Sequence, residues 1–591
     1  MQTVMLEARN ICLEVDHEGE SLFLLNGINF CVPRGHFMAI VGPSGCGKTT
    51  LLKAIAGIKE NTSGSFLWQG KDLAEEGDFE PHEIGYVPQF SIAYDELTVD
   101  ESVANSARLR VQADEEELND IIDNVLAETG LADIADRQVK MLSGGQKRRL
   151  ALAMELVSNP SLLLCDEVTS GLDPRSEREI VTLLHKLSRR EGRLIISVTH
   201  SLAQPELYDS IMVLVRGHLA YHGSPAAMTH YFGVGNFEEV YPQLALREPD
   251  AWAASWMKHR ADYYERMEKE HIQKLENTPG GIPDWAKCTP KPEDEEEEEE
   301  YQPSALSQFV TLLQRRFTLL FRDRTQLLLQ LAMMLIFPIM VALFSGKGQE
   351  QLMHLTDSQS ADIAVEVQRQ QAQAENRAKV GSAVSGIIMF EVVLLGLMGS
   401  NNSSREVATE RQILEKEKMS GVSPGAYLAS KSVFLSCLVL VQSLWMFAFV
   451  QYFWPYRGDL MNHLLFLILA NAAMTSVCLG ISANCKTGDQ ASLLSIYLVG
   501  FQLPLSGAVL ALPGFIESLT QPFISAYWAW SGSIKGGLMG DTGLESEVYK
   551  AVTSIVQTNF SGGALCFWVL VLHILIGLVL AYVGIRRSRW D

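Results

Sequence analysis

A chain of 591 residues exceeds what one hydrophobic core supports, so two large domains joined by linkers are expected. The formal net charge of −22 offers no basic surface to nucleic acid, and the 47% of apolar residues are unevenly spread, with long uncharged stretches confined to the part after residue 325. Nine cysteines are scattered without metal-ligand spacing and none falls in a segment placed outside the membrane, so neither a disulfide framework nor a zinc site is expected. Met1 to Asn10 lacks a basic segment followed by an apolar core, which argues against a cleavable signal peptide and for a cytosolic N-terminal half.

Residues 1–235 alternate short apolar runs, such as Met38–Val41, Leu162–Cys165 and Leu194–Val198, with helical stretches, the pattern of an α/β domain on a largely parallel sheet. Gly42, Pro43, Ser44, Gly45, Cys46, Gly47, Lys48 and Thr49 match the P-loop in full, between a predicted strand and a helix that begins near Thr49. The glycines let backbone N–H groups wrap a phosphate chain, Lys48 neutralises its outer phosphates, the Thr49 hydroxyl suits Mg²⁺, and Thr50 completes the expected ATP-binding run. The apolar strand Leu162–Cys165 ends in Asp166, placed for the Mg²⁺ shell, and Glu167, placed to polarise an attacking water.

Leu142, Ser143, Gly144, Gly145 and Gln146 precede a helical run from Lys147 to Met154, and their serine and glycine amides form an anion site at a helix N-terminus. This element resembles the signature of the ABC ATPase family. The resemblance implies that Ser143 and its neighbours close on ATP held by an opposite subunit, so one P-loop and one signature per chain imply a dimer: a homodimer, with a heterodimer as the alternative. Further elements stand in the family's order: Gln89 resembles the Q-loop glutamine that touches Mg²⁺, Ser170 to Asp173 the D-loop, and His200 the switch histidine at the γ-phosphate. No tyrosine stands where many members stack adenine, and His17 or Phe23 is a weak substitute.

Residues 236–303 are polar, contain Pro279-Gly280-Gly281 and end in an acidic run over 293–300, which reads as a solvated tether. Residues 304–326 set Phe309, Leu313, Phe317 and Leu320 at helical steps among Arg315, Arg316, Arg322 and Arg324, predicting an amphipathic connecting helix on the inner membrane face. An all-α membrane domain over 327–591 is expected to cross six times, near 327–345, 381–400, 431–453, 462–482, 490–510 and 563–585. Basic residues in alternate loops place both termini inside, and Glu391 and His573 are ionisable groups within spans, which marks interior or functional positions. Residues 346–380 predict a polar helix that projects outside or extends the second span, and 511–562 predict short re-entrant helices with Tyr527 and Trp530 at the interface.

The order of domains, the connecting helix and the charged stretch Glu410 to Glu417 resemble the G-subfamily (white-type) half-transporters, whose membrane domain is of the ABC-2 type. That resemblance implies coupling through Glu410, Arg411 and Glu417, and a substrate cavity at a dimer axis where Leu394, Leu395 and Met398 face Val499 and Leu503. The expected activity is ATP-driven export of lipid, drug or other amphipathic cargo from a multi-pass plasma or bacterial inner-membrane protein. The alternatives are a mechanotransmission protein that spends ATP without moving cargo and a regulatory ATPase with a membrane anchor.

Overall fold

A computed structural model describes residues 4–588 apart from 18–19, 91, 191, 277–301, 353–362, 455–457, 509–512, 539–543, 555 and 557. The acidic run 293–300 and the side chain of His17 lie outside the described residues. The chain divides into two units. The first holds residues through Gln308 together with Lys416–Val422, and the second holds Phe309–Glu415 together with Ser423–Arg589.

In the first unit the strands are β1 (Val4–His17), β2 (Glu20–Pro33), β3 (Phe37–Val41), β4 (Ser63–Trp68), β5 (Lys71–Asp72), β6 (Ile84–Val87), β7 (Leu162–Asp166), β8 (Leu194–Val198), β9 (Ser210–Val215) and β10 (His218–Gly223). They form an antiparallel sheet in the order β2-β1-β4-β5 and a six-stranded sheet in the order β10-β9-β3-β8-β7-β6. Strands β9, β3, β8, β7 and β6 run parallel, and β10 pairs antiparallel with β9. A parallel sheet is covered on both faces, which is why Phe37–Val41 and Leu162–Asp166 are buried at every position. The register sets Val41 beside Val213 and Asp166 beside Val198, so the carboxyl ends that lead into Gly42, Glu167 and Thr199 share one edge.

The polarity of 236–303 predicts a tether, and part of it folds instead: Val240–Leu244 and Pro249–Glu276 are helices. Trp252 and Trp256 of the longer helix are buried in the main core, with Tyr263 and Tyr264 packed against it. A narrow apolar stripe at helical steps is enough to dock a helix whose other faces are charged.

Glu155 is buried in this unit, where its carboxylate accepts from Arg110 Nη1 at 2.9 Å and Nη2 at 3.1 Å and lies 2.8 Å from Lys416 Nζ. Burial alone would raise its pKa, but the charges of Arg110 and Lys416 outweigh that effect and hold it down at about 2.

In the second unit five helices among the described residues are long and apolar enough to cross a membrane: Arg324–Leu343, Ala378–Ser403, Pro424–Phe453, Leu460–Asn484 and Gly563–Arg587. The stretch 490–510, expected as a sixth span, departs from that reading. Its helix Gly488–Gln502 has 15 residues, about 22 Å against the roughly 30 Å of a bilayer core, and gives way to a short turn at Pro504. Proline lacks the N–H that would continue the helix. The second predicted span is the C-terminal part of one 41-residue helix, Ile363–Ser403.

Tyr527 and Trp530, expected at the interface, are buried. Tyr527 donates to Asn559 O at 2.7 Å and Trp530 Nε1 to Ser385 O at 3.2 Å, so their polar atoms find partners inside the protein. Arg315 and Arg316 of the helix Ala305–Arg322 are likewise buried, and Arg316 pairs with Glu406, which also accepts from Lys431 at 3.0 Å.

Small residues let two spans touch: a Cβ on Gly577 would stand 2.4 Å from Ser476 C, and one on Gly480 would stand 2.8 Å from Gly577 O. Three further spans are joined by amides in a closed ring. Gln330 donates to Asn402 at 2.6 Å, Asn402 to Gln442 at 2.9 Å and Gln442 back to Gln330 at 2.9 Å.

The Glu155 geometry has a measurable consequence. Because its folded pKa lies below the ordinary 4.5, the ionised form stabilises the fold above pH 4.5 and that contribution disappears as pH falls toward 2. Replacing Glu155 with Ala leaves Arg110 buried beside no counter-charge and is expected to cost about 3–5 kcal/mol. Thermal unfolding in detergent across pH 3 to 7 checks both, and an unchanged acid limb in Glu155→Ala contradicts the assignment.

Candidate functional site

The loop from Gly42 to Gly47 is shaped by close backbone approach. Gly42 (φ 153°) has no room for a Cβ, which would lie 2.3 Å from Leu214 O, and Gly47 (φ 104°) would bring one to 2.8 Å from Leu24 O. Pro43, Ser44 and Gly45 are exposed at the crest, while Cys46 is buried beneath them. The helix Lys48–Ile55 begins directly at the loop, so its unpaired N–H groups and dipole point toward the crest. Lys48 is buried and donates to Gly42 O at 3.0 Å and Pro43 O at 3.2 Å. Thr50 follows on the first turn of the helix, partly buried.

The end of β7 supplies two carboxylates with different surroundings. Asp166 Oδ1 accepts from the Thr49 hydroxyl at 2.9 Å and Oδ2 from the Tyr86 hydroxyl at 3.4 Å. Burial raises the Asp166 pKa, against the lowering effect of the Thr49 hydrogen bond. Glu167 leaves the strand at φ 49°, a left-handed conformation for a residue with a Cβ. Its Oε2 accepts from Gln89 Nε2 at 2.9 Å, and its Oε1 lies 2.7 Å from His200 Nε2. Gln89 follows β6 and His200 follows β8, the strands that flank β7, so adjacent strand ends bring the three together. Arg148 also feels the Glu167 charge: burial lowers its pKa and Glu167 acts to raise it.

Ser143 caps the helix Gly144–Leu156. Its hydroxyl accepts from Gln146 N at 3.3 Å while the Gln146 side chain accepts from Ser143 N at 3.0 Å, a reciprocal capping box. Leu142 is buried as the anchor, and Ser143 and Gly144 are exposed. Asp173 caps the helix Pro174–Arg189 by accepting from Arg175 N and Ser176 N, both at 3.1 Å, and Ser170 is exposed just before it. Phe23, named for adenine, is exposed on β2.

The residues named for a cavity are packed within their own chain. Leu394, Leu395 and Met398 belong to the core of the second unit, Val499 packs with Met474 and Cys478, and Leu503 alone is exposed. A cavity among the described residues of this unit lies elsewhere, lined in part by Ile387, Glu391, Phe447, Trp454 and His463. Glu391 is buried there, 3.0 Å from His463 Nε2, and His573 meets the Ser525 hydroxyl at 2.9 Å and Pro522 O at 2.8 Å. Of the charged stretch, Glu410 accepts from Lys431 at 2.5 Å and from the Tyr427 hydroxyl at 3.3 Å, and Arg411 donates to Ala483 O at 2.7 Å. Glu417 is half-buried on the helix Arg411–Met419.

Sequence reasoning passed over Tyr86, whose hydroxyl reaches Asp166. Its signal was available, since it stands three residues before Gln89 on the strand beside β7.

Residues 25–170 match the ABC transporter family and residues 307–528 match the ABC-2 type transporter family. An ABC transporter ATP-binding/permease protein of Mycobacterium tuberculosis is 27% identical over 543 residues, covering 89% of this chain and 57% of its own length. ABC transporter G family member 13 of Arabidopsis thaliana is 36% identical over 37% of this chain and 34% of its own length. A methionine import ATP-binding protein of Pasteurella multocida is 30% identical over 48% of this chain and 78% of its own length. Among solved structures, a dimeric ATP-binding cassette in a post-hydrolysis state with ADP and phosphate is 27% identical, covers 37% of this chain and 99% of its own, and superposes with a TM-score of 0.35. The chain thus spans 57% and 34% of the first two relatives. A P-loop, paired carboxylates and a capped signature helix on one parallel sheet, followed by spanning helices, agree with these matches: the chain belongs to the ABC transporter family, with an N-terminal ATP-hydrolysing cassette and an ABC-2 type membrane domain.

Proposed function

We propose that the protein is a half-transporter of the G-subfamily type that works as a dimer and uses ATP to export lipid, drug or other amphipathic molecules. The observation that carries this reading is the bracketing of Glu167 by Gln89 and His200 beside an Asp166–Thr49 pair. In this reading Thr49, Asp166 and Gln89 hold Mg²⁺, Lys48 and the loop amides hold the phosphates, and Glu167 draws a proton from the attacking water while His200 contacts the γ-phosphate. The donor set fits the ion, since a hydroxyl, a carboxylate and an amide oxygen are the hard ligands that Mg²⁺ accepts.

The exposed, capped N-terminus of the helix Gly144–Leu156 supports dimerisation. An anion site at a helix N-terminus that faces outward is suited to the phosphates of ATP held on a second chain. For coupling, the reading rests on the helix Arg411–Met419, whose Lys416 stands against Glu155 of the ATPase unit. We place both termini in the cytoplasm, count the short helix Gly488–Gln502 as part of a sixth crossing and propose that the cargo path forms between two copies of the membrane domain.

Two measurements test this reading. Glu167→Gln keeps size and hydrogen bonding but removes the charge that attracts the proton, so hydrolysis is expected to fall by about two to four orders of magnitude while ATP binding survives. Near-normal turnover in that variant removes Glu167 from the role. Mixing Lys48→Ala chains with Ser143→Arg chains leaves one composite site with both motifs intact, so activity absent from each variant alone is expected to return in the mixture. Full activity from a verified monomer contradicts the dimer.

A further inference from the structure

At the end of the sheet opposite the P-loop, one strand length or roughly 17 Å away, three buried side chains converge. His36 immediately precedes β3, Asp209 immediately precedes β9, and His271 lies in the last turns of the helix Pro249–Glu276. All three are buried, and one ligand atom from each lies within 4.8 Å of the others. The His36 and His271 rings stand 4.9 Å apart between centroids, and His271 Nδ1 is 3.9 Å from Asp209 Oδ1, too far for a hydrogen bond.

The hydrogen-bond inventory of this cluster is incomplete in a specific way. Both ring nitrogens of His271 and Nδ1 of His36 have no hydrogen-bond partner among the described residues, although both rings are 2% exposed or less. A buried polar atom without a partner is destabilising, so three within one cluster suit the binding of a ligand. The neighbouring network bears on what that ligand can be. His36 Nε2 meets the Ser210 hydroxyl at 2.8 Å, that hydroxyl meets His222 Nε2 at 3.2 Å, and His222 Nδ1 meets the Tyr264 hydroxyl at 3.1 Å. In one of the two proton directions that these distances allow, His36 Nε2–H donates to Ser210, Ser210 donates to His222 Nε2, and His222 Nδ1–H donates to Tyr264. That assignment leaves a bare lone pair on His36 Nδ1. An imidazole held by a hydroxyl through one nitrogen and open at the other is arranged as a metal ligand.

We propose that His36, Asp209 and His271 form a binding site for a divalent transition ion of the zinc type, which fastens the helix Pro249–Glu276 to the starts of β3 and β9. Two imidazoles and a carboxylate are a zinc donor set, with ligand atoms about 3.3 Å apart when the ion is bound, so the cluster has to contract by about 1.5 Å. Asp209 is shared: Oδ2 accepts from Phe37 N at 2.9 Å and Oδ1 from Arg189 Nη2 at 2.5 Å. A carboxylate has lone pairs for further partners, but Arg189, which also donates to Gly35 O at 2.8 Å, repels a cation. Arg189 is therefore a competitor of the metal. Cysteine spacing gave no sign of this site because its donors are histidine and aspartate.

The test uses the full-length protein in detergent, purified without a polyhistidine tag and dialysed after exposure to ZnCl₂. Metal analysis is expected to find about one zinc per chain in the unmodified protein and a loss of it in His271→Gln, with Arg189→Gln retaining zinc more tightly than the unmodified protein. Equal, negligible zinc in all three overturns the proposal, as does tighter zinc binding that His271→Gln leaves unchanged. Cobalt loading of the unmodified protein gives a second readout that needs no variant. Visible d–d bands that zinc bleaches support the site, and their absence overturns it. Because the cluster is remote from Glu167, ATP hydrolysis by His271→Gln reports on folding and is independent of the transport reading.

Discussion

The charge of a triphosphate has to be met from several directions at once, and that constraint organises the first unit. One parallel sheet brings the ends of β3, β6, β7 and β8 to a single edge, where they present a loop of amides, a lysine, two carboxylates, a glutamine and a histidine. The two carboxylates are neighbours in sequence yet serve different ends. Asp166 faces inward to hydroxyls, and Glu167 turns outward through a left-handed backbone to meet Gln89 and His200. In the proposed reading, this divergence separates the group that would hold the metal from the one that would polarise water.

In the proposed reading, the same constraint accounts for the exposed end of the signature helix. Its capping box satisfies Ser143 and Gln146 internally, Leu142 anchors it, and Gly144 at its first turn is exposed. The ATPase unit also takes in Lys416–Val422, a segment that lies between two spans in sequence, and the Arg110–Glu155–Lys416 cluster fixes it there.

The ATP site was legible because each of its parts is a short motif at a predictable strand end, and the strands themselves are continuous apolar runs. What escaped depended on contacts made far along the chain. The helix Pro249–Glu276 looked polar because only Trp252, Trp256 and a few aromatic neighbours face the core, and the cluster of His36, Asp209 and His271 joins three distant segments without a sequence pattern. In the membrane domain, apolar residues repeat whether they face lipid, a neighbouring helix or a cargo path, so the sequence did not show that Leu395 and Met398 are buried within their own chain. Hydropathy also did not give the helix length near 490–510, where the run is apolar throughout but the helix ends at Gln502, just before Pro504.

The central claim is that each ATP is enclosed by the P-loop of one chain and the signature of another. Trapping the full-length protein with ATP, Mg²⁺ and orthovanadate and then irradiating it cleaves the backbone next to the bound vanadate. The account predicts cuts both at Gly42–Thr49 and at Leu142–Gln146, with the second cut borne by the partner when the two chains carry different size tags. Cleavage confined to the P-loop, or both cuts on a single isolated chain, contradicts it.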